Sequence, residues 1–122
     1  MSEWLRSCSS IQTATNIIIY DALDDEISLQ DFIAWAQGEK KSLYMIDSMG
    51  NFPPLPSDGV ILVPWRAFTL SGKRIGRGGG WYDRFLREHP QFFSIGICFY
   101  CQIFEDIPQD EWDQVVNDII SL

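Results

Sequence analysis

Four short apolar runs, rich in β-branched residues and set apart by polar or helix-patterned stretches, constrain the fold of this chain more than any other feature. TNIIIY (15–20), SLYMID (42–47), GVILVP (59–64) and FFSIGICFY (92–100) each have the length and composition of a strand. GVILVP is apolar throughout, as in the centre of a parallel sheet covered on both faces, where neither side of a strand meets water. Between the runs, SLQDFIAWAQGEKK (28–41) places Leu29, Phe32, Ile33 and Trp35 or Ala36 at helical spacing, with Ser28 as N-cap and Gly38 at the end. WYDRFLREH (81–89) predicts a second helix carrying Trp81, Phe85 and Leu86 on one face and stopping near Pro90. The alternation predicts an α/β class: a mostly parallel sheet with helices on both faces, three-layer and Rossmann-like. The connection DSMGNFPPLPSDG (47–59) is too rich in proline and glycine for regular structure, and the tail DEWDQVVNDIISL fits either a last helix or a turn followed by an edge strand.

At 122 residues the chain is expected to form a single domain, 1–122. Its 46% hydrophobic and 14% aromatic content excludes a disordered class, and no apolar run is long enough to span a bilayer. The start, MSEWLRSCSS, has no secretory pattern, and three cysteines make no even disulfide set, so a cytoplasmic setting is expected. A net charge of -8 argues against nucleic acid or an anionic membrane as partner. The charge is uneven, however. Arg66, Lys73, Arg74, Arg77, Arg84 and Arg87 face one acid, Asp83, within residues 66–87, a local +5; the three basic and sixteen acidic residues elsewhere sum to -13. A small positive patch on an acidic body suits a compact polyanion such as a nucleotide phosphate.

Within that patch, RIGRGGGWYDRFL (74–86) holds four glycines in five positions: Gly76, Gly78, Gly79 and Gly80. A loop that only turned the chain would need one or two. Without Cβ atoms, successive residues can aim several N–H groups at one anion, and a following helix adds the positive end of its dipole. The spacing is neither a P-loop, since no Gly-Lys-Ser/Thr follows, nor G-x-G-x-x-G, since Trp81 takes the last glycine's place. Arg74 and Arg77 can fork onto phosphate oxygens, and Trp81 or Tyr82 can cover a planar ring. Asp83 is either a magnesium ligand or a first-turn helix stabiliser.

VPWRAFTLSGKRIGRGGGWYDRFL (63–86) resembles the signature of the 5-formyltetrahydrofolate cyclo-ligase family, also called methenyltetrahydrofolate synthetases. The resemblance runs on through SIGICFYCQIFEDIP (94–108) and Asp113, and upstream through NIIIYDALDDEISLQDFIAWAQGEKK. It implies an enzyme that uses ATP and Mg2+ to activate the formyl oxygen of 5-formyltetrahydrofolate as a phosphate ester. N10 then attacks, the ring closes, and loss of phosphate leaves 5,10-methenyltetrahydrofolate. By resemblance, Gly76, Gly78, Gly79 and Gly80 with Arg74 and Arg77 hold the ATP phosphates. Asp83 and Asp113 position Mg2+, Trp81 and Tyr82 border the nucleotide and the folate, Arg77 and Tyr82 are the catalytic pair, and Glu26 contacts the pterin.

The chain also departs from the family pattern. Only MSEWLRSCSS, with Arg6, precedes the first matched segment, where the family has a helix with phosphate-contacting basic residues. The short proline-rich connection stands in place of a substrate-contacting section. Trp65, Thr69, Trp81 and Asn117 replace a glycine, an aspartate, a tyrosine and an aspartate. These departures support a second reading, a non-catalytic relative that still binds nucleotide. Elsewhere, Cys98 and Cys101 have C-x-x-C spacing but lie on opposite faces of a strand, as structural thiols would. His89 is expected to serve the C-terminal end of its helix, and Asp21, Asp24 and Asp25 read as a solvated turn. Five tryptophans exceed what a small core needs, and a subunit interface is one place for the surplus.

Overall fold

A computed structural model describes residues 2–22, 28–64, 67–69, 74–75, 81–98, 103–104 and 117–121, the side chains of 2–4, 67–69, 74–75, 98, 103–104 and 118–121 excepted. Two short helices, α1 (Ser2–Ser7) and α2 (Ser9–Thr13), lead into β1 (Asn16–Tyr20). Then come α3 (Gln30–Gly38), β2 (Ser42–Ile46), β3 (Gly59–Pro64), β4 (Ala67–Thr69), β5 (Arg74–Ile75), α4 (Trp81–Glu88), β6 (Phe92–Cys98), β7 (Ile103–Phe104) and β8 (Asp118–Ser121). Five strands form one sheet in the order β2-β1-β3-β6-β8. Every pairing in it is parallel.

The period of two in the strands builds a core on each face. Ile17, Ile19, Val60, Leu62, Ile95 and Ile97 meet Leu5, Ile11, Phe32 and Ala36 from the first three helices. Ile18, Ile61, Val63 and Phe92 meet Phe85 and Leu86 of α4 on the other side. The expected three layers are thus present. Ile17, Ile18, Ile61, Leu62 and Ile95 have no exposed surface, so truncating any of them to alanine would cost about 2–5 kcal/mol.

Helix α3 starts beside Ser28, whose Oγ accepts the Gln30 amide at 3.3 Å, although Leu29 is the residue at the N-cap position. At its other end Gly38 is the last helical residue, and the positive φ that glycine would favour falls instead on Lys40, at 60°. Lys41 closes the neighbouring helix end: its Nζ donates to the carbonyls of Ala14 at 2.6 Å and Gln12 at 3.0 Å, which α2 leaves without intrahelical partners. The tail resolves toward the edge-strand alternative, since β8 runs parallel to β6 from Ile95↔Asp118 to Cys98↔Ser121. Three short strands that no local pattern predicts form a second sheet, β5-β4-β7, with β4 antiparallel to β5 and parallel to β7.

Candidate active site

Topology decides where a site can form. From β1 the chain passes through α3 to β2 on one side, then crosses to β3 on the other. β1 and β3 therefore flank the point where strand order reverses, and at such a point the loops leaving the C-terminal ends of adjacent strands part and open a crevice. The acidic turn leaves β1 at this edge, with the Asp21 amide donating to the Ile46 carbonyl at 3.1 Å. The chain leaving β3 enters β4 and β5 at the same edge, and β5 leads through the glycine segment into α4. α4 carries the chain back between the parallel strands β3 and β6, and its first residue, Trp81, meets Gly50 just past the C-terminal end of β2, so the positive end of α4 lies at the C-terminal edge of the sheet.

The first turn of α4 is built from Trp81, Tyr82 and Asp83, all partly buried. The Trp81 indole stacks on Phe85, with centroids 5.2 Å apart and planes 16° apart, and meets Tyr82 edge-on at 4.9 Å. Phe52 closes the cluster edge-on to Trp81 at 6.3 Å and to Phe85 at 5.3 Å. Asp83 is the acidic group of the first turn and Arg87 the basic group of the last, both favourable to the helix dipole. Of the other residues singled out from sequence, Arg74 has its backbone on β5, paired with Phe68. Gly76, Arg77, Gly78, Gly79, Gly80, Glu26 and Asp113 lie outside the described residues.

Two other groups find places away from the crevice. Arg6 borders a shallow cavity of about 390 Å³ with Ser7, Gln12, Trp35 and Glu39, and its Nε is buried without a hydrogen-bond partner. Gln12 and Glu39 belong to the segments that feed the N-terminal ends of β1 and β2, so Arg6 lies at the far end of the sheet from the start of α4. The His89 ring packs at 4.2 Å from Phe85 and 6.2 Å from Phe52 and Phe92, and its amide donates to the Phe85 carbonyl at 2.9 Å.

Asp47 carries no motif that singles it out in the sequence, yet it organises a loop. Its Oδ1 accepts the amides of Met49 and Asn51, each at 2.9 Å, in a tight turn just past β2. The Asn51 amide above all, then the Asn51 side chain and the Met49 and Gly50 amides, hold the carboxyl below the usual carboxylate range, although partial desolvation opposes them. An Asp with Gly three residues on is the one local signal of such a turn.

Among the described residues no group of three or more His, Cys, Asp and Glu side chains could hold a metal ion, and no helix is long and apolar enough to cross a membrane. A magnesium ion that arrives on nucleotide phosphates needs only one or two protein carboxylates. Asp83 is a carboxylate on the first turn of α4.

The model of the 5-formyltetrahydrofolate cyclo-ligase family matches residues 54–121, which include β3, the whole glycine segment, α4 and β6. The 5-formyltetrahydrofolate cyclo-ligase of Haemophilus influenzae is 36% identical over 72 residues, covering 57% of this chain and 38% of that protein. The Escherichia coli K12 protein of the same name is 40% identical over 70 residues, covering 56% and 38%. The matched region thus spans well under half the length of these relatives. In three dimensions, a 5,10-methenyltetrahydrofolate synthetase from Mycoplasma pneumoniae superposes with a TM-score of 0.80 at 22% identity, covering 98% of this chain and 80% of that one. The Aquifex aeolicus 5,10-methenyltetrahydrofolate synthetase gives 0.75 at 24%, covering 98% and 77%. These two likenesses establish a shared fold. With more than half of its residues matched by the family model, the glycine segment among them, this chain belongs to the 5-formyltetrahydrofolate cyclo-ligase family.

Proposed function

We propose that the protein converts 5-formyltetrahydrofolate to 5,10-methenyltetrahydrofolate at the expense of ATP, with Mg2+. The observation that carries this reading is the family match across residues 54–121, in which the glycine segment RIGRGGG leads directly into α4. In this reading the amides of Gly76, Gly78, Gly79 and Gly80 cradle the phosphates, and Arg74 and Arg77 fork onto their oxygens. Asp83 and Asp113 would hold Mg2+, which would offset the charge of the phosphates. Trp81 and Tyr82 border the nucleotide and folate rings, and Glu26, beyond β1, contacts the pterin.

The formyl oxygen attacks the γ-phosphorus and ADP departs. N10 then adds to the activated carbon and gives up its proton, and cleavage of the carbon–oxygen bond releases phosphate as the ring closes. In this reading Arg77 and Tyr82 stabilise the charge moving onto the transferring group; stabilising charge where it develops is the main lever of such catalysis. The product has a conjugated C–N system that the substrate lacks, so a near-ultraviolet band should grow when protein, ATP, Mg2+ and 5-formyltetrahydrofolate are mixed. Intact nucleotide binding with no growth of that band would favour the second reading, a nucleotide-binding relative without cyclisation.

A further inference from the structure

The turn after β2 reaches the first residue of α4. The Asp47 carboxylate holds the amides of Met49 and Asn51 at 2.9 Å, the Asp47 amide donates to the Asn51 carbonyl at 2.9 Å, and the Gly50 amide donates to the Asp47 carbonyl at 3.0 Å. So closed, the turn places Gly50 at φ +86°, a conformation that L side chains rarely adopt. A Cβ at this position would meet Nε1 of Trp81 at 2.7 Å and Cε2 at 3.2 Å. The indole cannot yield easily, because it is stacked on Phe85 and flanked by Phe52. Hydrogen bonds, more than burial, hold the turn: Met49 is 84% exposed and Phe52 43%.

Trp81 is the residue at which the glycine segment ends and the helix begins. We infer that the Asp47–Asn51 turn is a positioning element for the nucleotide site: by fixing the indole it fixes the first turn of α4, which carries Trp81, Tyr82 and Asp83. Asp47 and Gly50 touch no nucleotide themselves; they act through Trp81. Their role rests on the nucleotide binding proposed above.

The test is calorimetric titration of Mg-ATP into the wild type and variants, with unliganded melting temperatures measured in parallel. Gly50→Ala should raise the Kd about tenfold, since small misplacements of a binding group are costly, while the melting temperature shifts by only a few degrees. In a Trp81→Phe background, where the added methyl no longer meets Nε1, Gly50→Ala should change the Kd little beyond Trp81→Phe alone. Asp47→Ala should weaken binding, and Asp47→Asn, which keeps an acceptor at Oδ1, should restore most of it. An unchanged Kd in Gly50→Ala would overturn the positioning role and leave nucleotide binding standing. A Gly50→Ala protein that melts lower while its folded fraction keeps wild-type affinity would overturn it equally. Folded wild type that gives no heat with Mg-ATP would overturn both.

Discussion

Asn117 and Ser94 are bound to each other at four points where β8 joins the sheet. Asn117 Oδ1 accepts the Ser94 amide at 2.8 Å and lies 3.0 Å from Ser94 Oγ, while the Asn117 amide lies 2.9 Å from the Ser94 carbonyl and 3.1 Å from its Oγ. Ser94 is buried, so its polar atoms need these partners. Asn117 stands where the family pattern has an aspartate, and the structure gives it work through its carbonyl oxygen. Asn117→Ala should therefore lower unfolding free energy by about 1–3 kcal/mol in urea melts. Asn117→Asp, which keeps the acceptor, should stay close to wild type; an equal loss in both variants would refute this use of Oδ1.

Asp83→Asn separates the two roles of its carboxylate. A first-turn acid stabilises a helix by about 0.3–1 kcal/mol, so the unliganded melting temperature should fall only slightly. Mg-ATP affinity should fall at least about tenfold, because the neutral amide is a far poorer ligand for Mg2+. Equal losses of affinity and stability would leave the helix dipole as its whole role.

Arg77→Ala removes a charge-assisted hydrogen-bonding group, worth about 1.5–3 kcal/mol per bond to a charged partner. Nucleotide affinity should drop about tenfold to a hundredfold, with an unchanged circular dichroism spectrum. Wild-type affinity in this variant would remove Arg77 from the cradle.

The turn at Asp47 should respond to acid. Its carboxyl is held below its unfolded value, so the turn's stabilisation is fully present above the unfolded pKa and is lost as pH falls through the lower, folded one. Amide exchange at Met49 and Asn51 should accelerate at the acid end of that window, below the usual carboxylate range. Asp47→Asn should abolish the pH dependence. Protection that stays flat with pH in the wild type would show that the carboxylate does not hold the turn.

Four of the five strands of the main sheet and both longer helices were legible because their signals are local. GVILVP is apolar on both sides and occupies the middle of the sheet, and the spacing of Phe85 and Leu86 matches the buried face of α4. The rest depends on distant partners. β4 and β5 are two or three residues long and exist through Phe68 pairing with Arg74 and Ile103, and β8 is fixed by Asn117 finding Ser94, 23 residues earlier. α1 and α2 are too short to show a period, though Leu5 and Ile11 are buried core residues. In the candidate site, composition alone points to the glycine segment, whose residues 76–80 lie outside the described ones. It does not point to Asp47 and Gly50, because their meaning comes from an indole that only the fold brings beside them.

Titrating ATP into the protein in magnesium buffer, by calorimetry and with the fold verified by circular dichroism, tests the nucleotide site most directly. Saturable one-site binding is the expected result. A folded protein that takes up no ATP would contradict the phosphate cradle and, with it, the cyclisation built upon it.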